Sequence, residues 1–382
     1  MNRSLWCAAA IAAAVAPAGA QEKSAGAFNP GISLILQGTA ATSKEDPEAY
    51  RIDGFAPTGG EVGPAPRGFG LGESELVISA NVDPYFRGHL VAALTPENEA
   101  EIEEAYFQTL ALGQGFTLKG GRFLSGIGYQ NEIHQHAWDF QDAPLAYKAF
   151  LGGRLNDDGV QLRWVAPTDL FLEIGAELGQ GRAFPATVGN RNGANAASLF
   201  AHLGGDIGAG TAWRAGVSQL RASPEDRAFD AQFLTGTSRL WIADFVLKWA
   251  PAGNATVTNF KLQGEYFRRN ESGRLSNDDG TLFAGDFASR QSGWYLQGAW
   301  QFMPRWRAGL RVDRLDYGTV ENGPPATEHN PSRVTAMLDW SGTEFSRLRL
   351  QIAEDKSRAD VVDRQVLLQY ILSLGVHGAH KF

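Results

Sequence analysis

The sequence contains almost no cysteine and no long apolar run outside its N-terminal segment. The single cysteine, Cys7, lies in a segment that we expect to be removed. The mature chain would then carry no disulfide, thiol nucleophile or thiolate metal site. No later stretch reaches the roughly 18 to 20 apolar residues that a membrane helix needs. The sequence also lacks the short glycine, serine and histidine motifs of common hydrolases and nucleotide-binding enzymes, so we do not predict an enzyme.

The first residues have the pattern of a secretory signal peptide. Arg3 gives a basic start, residues 5–16 form an alanine-rich apolar run, and small residues precede an expected cleavage after Ala20. We therefore expect a signal peptide at 1–20, export through the inner membrane, and a single domain at 21–382. The alternative is an N-terminal helix that stays attached.

The rest of the composition is rich in glycine and aromatic residues. There are 45 glycines, 22 phenylalanines and 10 tryptophans against 3 methionines. This balance suits a protein that is apolar outside and polar inside. The formal net charge of −8 disfavours nucleic acid as a partner.

Apolar residues recur two apart along most of the chain, which is the period of a β-strand. Trp241, Phe245 and Trp249 fall on one face of their segment, and Asp244 and Lys248 fall on the other. A helix would place apolar residues three and four apart. About 16 such segments are predicted, at 28–40, 71–83, 84–95, 100–112, 115–126, 159–166, 169–180, 197–208, 212–222, 239–250, 255–269, 290–303, 306–317, 332–342, 345–355 and 364–382.

The connections between these segments are alternately short and long. Short turns include 304–305, whereas long connections include 127–158, 223–238 and 270–289. This pattern is typical of a transmembrane antiparallel β-barrel with short periplasmic turns and long extracellular loops. The fold class predicted is therefore all-β, in an outer membrane. The alternative is a large soluble β-sandwich, which would need an opposing sheet for each apolar face.

The C-terminal residues resemble the signature of bacterial outer-membrane proteins. Tyr370, Leu372 and Leu374 alternate, and the sequence ends at Phe382. The resemblance implies that Phe382 acts as an assembly signal for the barrel-assembly machinery. It also implies lipid and lipopolysaccharide of a Gram-negative outer membrane as surroundings.

The strand number and the terminal Phe382 make the chain similar to the sixteen-stranded porins. A narrower resemblance rests on 123–129 (FLSGIGY), 134–140 (HQHAWDF) and 159–164 (GVQLRW). These runs resemble short barrel proteins labelled TonB-dependent receptor-like or zinc-regulated outer-membrane proteins. The porin resemblance implies passive diffusion and a homotrimer. The narrower one implies, as an alternative, a zinc-uptake barrel without a plug domain.

The third outward connection, 127–158, is predicted to fold into the barrel and narrow it. In this interpretation aromatic residues pack the loop against the wall and charged residues face the aperture. The alternative is a loop that lies over the barrel mouth. The predicted constriction residues are Glu132, Asp139, Asp142, Lys148, Arg154, Asp157 and Asp158.

Two histidines in this connection, His134 and His136, lie one residue apart, with Glu132 and Asp139 nearby in sequence. Imidazole and carboxylate together suit zinc, so the pair is a candidate for a transported or weakly bound zinc ion. The alternative is ordinary hydrogen bonding in a loop. No other cofactor is expected.

Alternation also predicts which charged side chains line the pore. Acidic residues are nearly as numerous on that face as basic ones, and selectivity follows the charge that lines a pore. The sequence therefore predicts a weakly selective channel for small hydrophilic solutes or ions. The basic wall residues predicted are Arg87, Lys119, Arg163, Arg214, Lys248, Arg307, Arg311, Arg347 and Arg349.

Overall fold

A computed structural model describes residues 30–59, 62–95, 99–189, 191–229, 231–282, 285–323 and 327–375. The expected signal peptide and the predicted assembly signal Phe382 lie outside the described residues. Within them, no helix has both the length and the apolar content needed to cross a membrane.

The described residues form one antiparallel sheet. Its strands are β1 (Gly31–Ser43), β2 (Gly68–Leu71), β3 (Ser74–Asn81), β4 (Phe86–Leu94), β5 (Ala100–Thr109), β6 (Phe116–Leu124), β7 (Asn156–Val165), β8 (Phe171–Gly179), β9 (Ala196–Ile207), β10 (Thr211–Ala222), β11 (Arg227–Phe229), β12 (Gln232–Trp249), β13 (Asn259–Ser276), β14 (Phe287–Met303), β15 (Trp306–Glu321), β16 (Ser332–Thr343), β17 (Ser346–Lys356) and β18 (Asp363–Gly375). Among the described residues, a single short α-helix, α1 (Leu145–Leu151), lies between β6 and β7.

The sheet closes on itself because β1 pairs with the last strand. Ser33 lies opposite Gly375 and Ser43 opposite Gln365, while the other edge of β1 pairs with β3. The short β2 pairs with β1 beside β3, and β11 forms a small hairpin with β12. The remaining strands make a closed barrel of 16 strands. The predicted fold class is confirmed, and closure leaves no unpaired edge.

The start of β1 and the end of β18 lie together at the end of the barrel that carries the short turns. Gly31 also lies opposite Ser79, close to the turn that joins β3 to β4. The connections at 304–305 and 344–345 are at this end. The longest fully described connection, 125–155, is at the opposite end.

Several strands extend further from the short-turn end than alternation predicted. β12 begins at Gln232 and β13 ends at Ser276, so parts of the predicted loops 223–238 and 270–289 are strand. Residues 268–272 read Arg-Arg-Asn-Glu-Ser, with no apolar alternation. Beyond the apolar band the two strands stay paired through backbone hydrogen bonds, although this stretch has polar residues on both faces. Hydrophobic periodicity therefore could not predict these strand ends.

The outer face of the barrel is apolar, as the alternation predicts. Trp241, Phe245 and Trp249 on β12 are 46%, 41% and 40% exposed, whereas Leu240 and Ile242, on either side of Trp241, are buried. An outward stripe of exposed aromatic and aliphatic side chains suits contact with lipid.

We expect the Phe245→Arg substitution to lower the free energy of unfolding by about 2–4 kcal/mol, because it places a charge in the middle of the lipid-facing band. Equilibrium unfolding in lipid vesicles, followed by tryptophan fluorescence, measures this loss. Lys248→Arg, on the inner face of the same strand, is the control and should change stability little. Similar losses for the two variants would contradict the assigned register.

Candidate pore constriction

The connection between β6 and β7, residues 125–155, runs inside the barrel, and we call it the inner segment. It covers most of the predicted inward loop, although Asp157 and Asp158 lie on β7. Its first residues bind the wall through backbone amides. The Gly126 amide donates to the Glu177 carboxylate at 2.8 Å, and the Gly128 amide donates to the Ser218 hydroxyl at 3.0 Å.

Glu265, on β13, is the acceptor that fixes the next turn of the inner segment. Its carboxylate accepts the amides of Tyr129 and Gln130 at 3.2 and 3.0 Å. It also accepts the hydroxyls of Tyr147 and Tyr295, at 3.0 and 2.6 Å. A buried carboxylate is stable only when its oxygens receive hydrogen bonds or a counter-charge. This carboxylate therefore ties both halves of the inner segment to the wall.

The close approach to Glu265 requires glycine at position 128. Gly128 has a φ of +67°, and a Cβ atom there would collide with the Glu265 carboxylate. Any other residue would be strained in this conformation and would also push the segment off the wall.

Asp139 and Asp142, both predicted constriction residues, are buried in ion pairs with the opposite wall. Asp139 lies 2.9 Å from the Lys261 ammonium and 3.1 Å from the Arg307 guanidinium. Asp142 contacts Arg311 at 3.0 Å, Arg333 at 3.1 Å and Lys148 at 3.3 Å. Removing either aspartate would leave buried cations without this counter-charge, which is strongly destabilising.

These cations determine the ionisation of the two aspartates. Burial alone would raise the pKa of Asp139, but the charges of Lys261 and Arg307 outweigh burial and hold that pKa below its usual range. The same holds for Asp142, where burial opposes and Arg333 and Arg311 prevail, so its pKa is also lowered. Both carboxylates are therefore charged at neutral pH.

Helix α1 places an apolar cluster inside the barrel. Pro144 precedes it, and Gly152 ends it in the left-handed conformation, with a φ of 67°. Every residue of α1 is buried. Phe150 stacks on the wall residue Phe267 with ring centroids 6.1 Å apart, and Tyr147 meets the same ring edge-on. The inner segment is thus packed against the wall like a protein core, which explains how a loop can hold one position in the lumen.

The other predicted constriction residues also bond to the wall. Glu132 pairs with Arg163, and Arg154 pairs with Glu73 and Glu103. Both side chains remain partly exposed, so their placement at the aperture stays a prediction. The wall carries charges of both signs, and a buried loop charge gains more from a wall partner than from partial hydration.

Two strand residues complete the constriction set. Asp158, on β7, pairs with Arg122 and Arg182, and the Asp157 carboxylate accepts the amides of Gly181 and Arg182. Both aspartates therefore hold the 180–195 connection to the outer end of β7.

The predicted basic wall residues divide into two groups by burial. Arg214, Arg311 and Arg349 are at most 3% exposed and hold the inner segment, for example through a hydrogen bond from Arg349 to the Trp138 carbonyl at 2.9 Å. Arg163 pairs with Glu132. The remaining predicted residues lie near the short-turn end and are partly exposed. Together with Lys261 they form a surface that we call the basic mouth. It consists of Arg87, Lys119, Lys248, Lys261, Arg307 and Arg347.

Acidic residues near the basic mouth are partly buried and partly exposed. Asp339 is buried between Arg307 and Arg349, and Glu173 is buried beside His202. Asp206, at the end of β9, is exposed, as are Asp83, Asp169 and Glu344 in the short turns. This end of the barrel therefore carries hydrated charges of both signs.

The two loop histidines contact carboxylates that the sequence interpretation did not pair with them. His134 lies 3.0 Å from Glu104, 3.3 Å from Glu103 and 3.4 Å from Glu75. His136 lies 2.7 Å from Glu75. Glu132 and Asp139, the carboxylates predicted to accompany them, are held by wall cations elsewhere. That part of the prediction was wrong because neighbours in a loop can point to different strands.

Some residues of the site escaped the sequence interpretation altogether. Phe55, from the connection after β1, packs edge-on against Phe150, and Phe184, after β8, lies over Arg269 and Arg227. Neither connection shows a periodic pattern, so no sequence signal indicated that they enter the barrel. Alternation within the 255–269 segment places Glu265 on the inner face, but it gives no sign of the hydrogen bonds to the loop.

Comparison with solved structures defines the class of protein. The anion-selective porin of Comamonas acidovorans aligns over 90% of this chain and 99% of its own, with a TM-score of 0.52 and 10% identity. The trimeric form of the outer-membrane protein OmpT of Vibrio cholerae aligns over 90% and 99%, with a TM-score of 0.53 and 9% identity. The chain thus has the closed β-barrel fold of the outer-membrane porins.

Sequence comparison identifies the family within that class. No model of a known protein family matches the sequence. An uncharacterized protein of Aquifex aeolicus is 30% identical over 393 aligned positions, which cover 93% of this chain and 80% of that protein. The chain belongs to the same family as this Aquifex protein.

Proposed function

We propose that the protein is a passive outer-membrane channel for small hydrophilic solutes or ions, with the inner segment as its narrowest part. The observation that carries this proposal is the anchoring of the inner segment across the lumen of a closed porin-type barrel. Contacts from Glu265, Arg311 and Arg349 fix it from several strands at once. A segment held in this way sets a permanent aperture.

The organisation of the described residues into barrel strands and connections is consistent with passive transport. Within the described residues from 31 to 375, all lie on barrel strands or on their connections, and none forms a separate plug domain. Energy-coupled receptors need such a domain to respond to their partner. We therefore infer diffusion, with no enzymatic step. Zinc uptake is the second candidate, and the contacts of the loop histidines are the observation that favours it.

The basic mouth supports a weak preference for anions over cations. Its side chains are partly exposed, while Asp339 and Glu173 on the same face of the wall are buried in ion pairs. A ring of positive charge at one end of a pore raises the local concentration of anions. The preference is weak because Lys261 and Arg307 are paired with Asp139, and because four carboxylates are exposed at the same end: Asp83, Asp169, Asp206 and Glu344.

The porin-type fold also supports a proposal for the oligomeric state and the membrane surroundings of the protein. We propose a homotrimer, by analogy with the trimeric form of OmpT. Lipid and lipopolysaccharide would cover the apolar outer face of each barrel, and the barrel-assembly machinery would insert it.

Deleting residues 144–152 removes α1 and should raise single-channel conductance severalfold, because the narrowest section dominates the resistance of a pore. A deletion of equal length at 278–286, in the connection after β13, is the control and should change conductance little. Planar-bilayer recording of both variants, after gel mobility has shown that each barrel is folded, gives the result. Equal conductance of both variants and the wild type would place the constriction elsewhere.

Neutralising part of the basic mouth should shift ion preference toward cations. We expect the Lys248→Gln/Arg347→Gln variant to move the reversal potential in a salt gradient in the cation-selective direction. The matched control, Arg268→Gln/Arg290→Gln, removes two exposed charges on the outer face of β13 and β14. A reversal potential that is the same in both double variants would refute the role of the basic mouth.

A further inference from the structure

A cluster of carboxylates and histidines joins the inner segment to β3 and β5, and passive conduction does not use it. It consists of Glu75 on β3, Glu103 and Glu104 on β5, and His134 and His136 of the inner segment, and we call it the Glu–His cluster. Glu75, Glu103 and Glu104 are at most 6% exposed. Three carboxylates are thus buried together beside two imidazoles.

A β-bulge brings two consecutive glutamates to the same side of the wall. Val91 on β4 lies opposite Glu104, and the next residue, Ala92, lies opposite Ile102. Glu103 is therefore the extra residue of the bulge. In a regular strand, consecutive side chains point to opposite faces, so one of the two would face lipid. Here both are buried next to His134.

Three buried atoms of this cluster lie close together without well-aligned hydrogen bonds between them. Nδ1 of His134 lies 3.4 Å from Oε2 of Glu75 and 3.3 Å from Oε2 of Glu103. Among the described residues, none of these three buried atoms has a hydrogen-bond partner. One ligand atom from each residue lies within 4.8 Å of the others. Buried polar atoms are normally satisfied, so this arrangement calls for a missing partner.

The distances fit a tetrahedral metal ion. Nitrogen and oxygen ligands lie about 2.0–2.2 Å from zinc, which places the ligand atoms of a tetrahedral site roughly 3.3–3.6 Å apart. The two His134 distances fall at this separation. Imidazole with carboxylates is also the donor set that suits zinc and similar divalent transition metals.

The neighbouring contacts orient the ligands as metal sites require. Nε2 of His134 lies 3.0 Å from the Glu104 carboxylate, which leaves Nδ1 free to face Glu75 and Glu103. His136 lies 2.7 Å from the second oxygen of Glu75. Metal-binding histidines usually donate their other ring nitrogen to a carboxylate in this way.

Charge balance favours a cation at this position. Arg154 pairs with Glu103 and Glu73, and it is the one Lys or Arg side chain ion-paired with these glutamates among the described residues. By contrast, Asp142 alone contacts three cationic side chains. Several carboxylates sharing one arginine leave a net negative charge that a divalent ion would neutralise.

We propose that Glu75, Glu103 and His134 bind a divalent transition metal of the zinc type, with Glu104 and His136 as supporting partners. The ion would fasten the inner segment to β3 and β5. The proposal goes beyond passive conduction and does not depend on it, because metal binding can be measured on protein that is not conducting. Its competitor is a protonated His134 that pairs with the glutamates without a metal.

The test is zinc binding by the folded, tag-free protein in detergent after removal of metal with a chelator. We expect one zinc per chain, measured by elemental analysis after dialysis, and a saturable titration by calorimetry. His134→Ala should weaken binding at least 100-fold. His202→Ala is the matched control, because His202 is a buried histidine 3.1 Å from the Glu173 carboxylate in the same barrel, outside the Glu–His cluster.

A second variant separates loss of a ligand from loss of the fold. Glu104→Gln keeps all three proposed ligands but removes the charge that orients His134, and such changes typically weaken metal binding about 10–100-fold. Its barrel should remain folded by gel mobility. Wild-type protein that binds no zinc would overturn the proposal in favour of a protonated His134. Equal binding by the wild type and His134→Ala would place any metal elsewhere.

Discussion

The structure depends on the pairing of charges that are buried inside the barrel. The inner segment brings Asp139 and Asp142 into the lumen, and the wall meets them with Lys261, Arg307 and Arg311. Neither partner would be stable in this position alone, since an unpaired buried charge is costly. The position of the inner segment therefore depends on the charges of the wall, and the burial of those wall charges depends on the inner segment. The size and polarity of the passage follow from these ion pairs.

Hydrophobic alternation was sufficient to predict the barrel. Each of the predicted strand segments overlaps a strand of the closed sheet, because lipid on one side and polar groups on the other impose a period of two. The alternation is lost beyond the lipid-facing band, because neither face of the strand needs to be apolar there. The outer parts of β12 and β13 were therefore predicted as loops. The alternation also fails at Glu103, where a bulge breaks the period.

The site was less predictable than the fold. The sequence indicated which loop enters the barrel and which strand residues face it, but not which pairs meet. His134 contacts Glu104, 30 positions away in sequence, and Asp142 contacts Gln351, which is 209 positions away. Such partners are determined by barrel closure and strand register, and a single sequence carries little information about either. As a result, the histidines were assigned the wrong carboxylates.

The central claim is that the inner segment lies packed inside the lumen, and the accessibility of one engineered thiol tests it most directly. Ala146, in α1, is 0% exposed, whereas Asp279 lies exposed in an outer turn. A cysteine introduced at either position can be labelled with a charged thiol reagent. The native Cys7 does not interfere, because we expect it to be removed with the signal peptide. The account predicts labelling at least 100-fold slower at position 146 than at position 279. Similar rates at the two positions would contradict it.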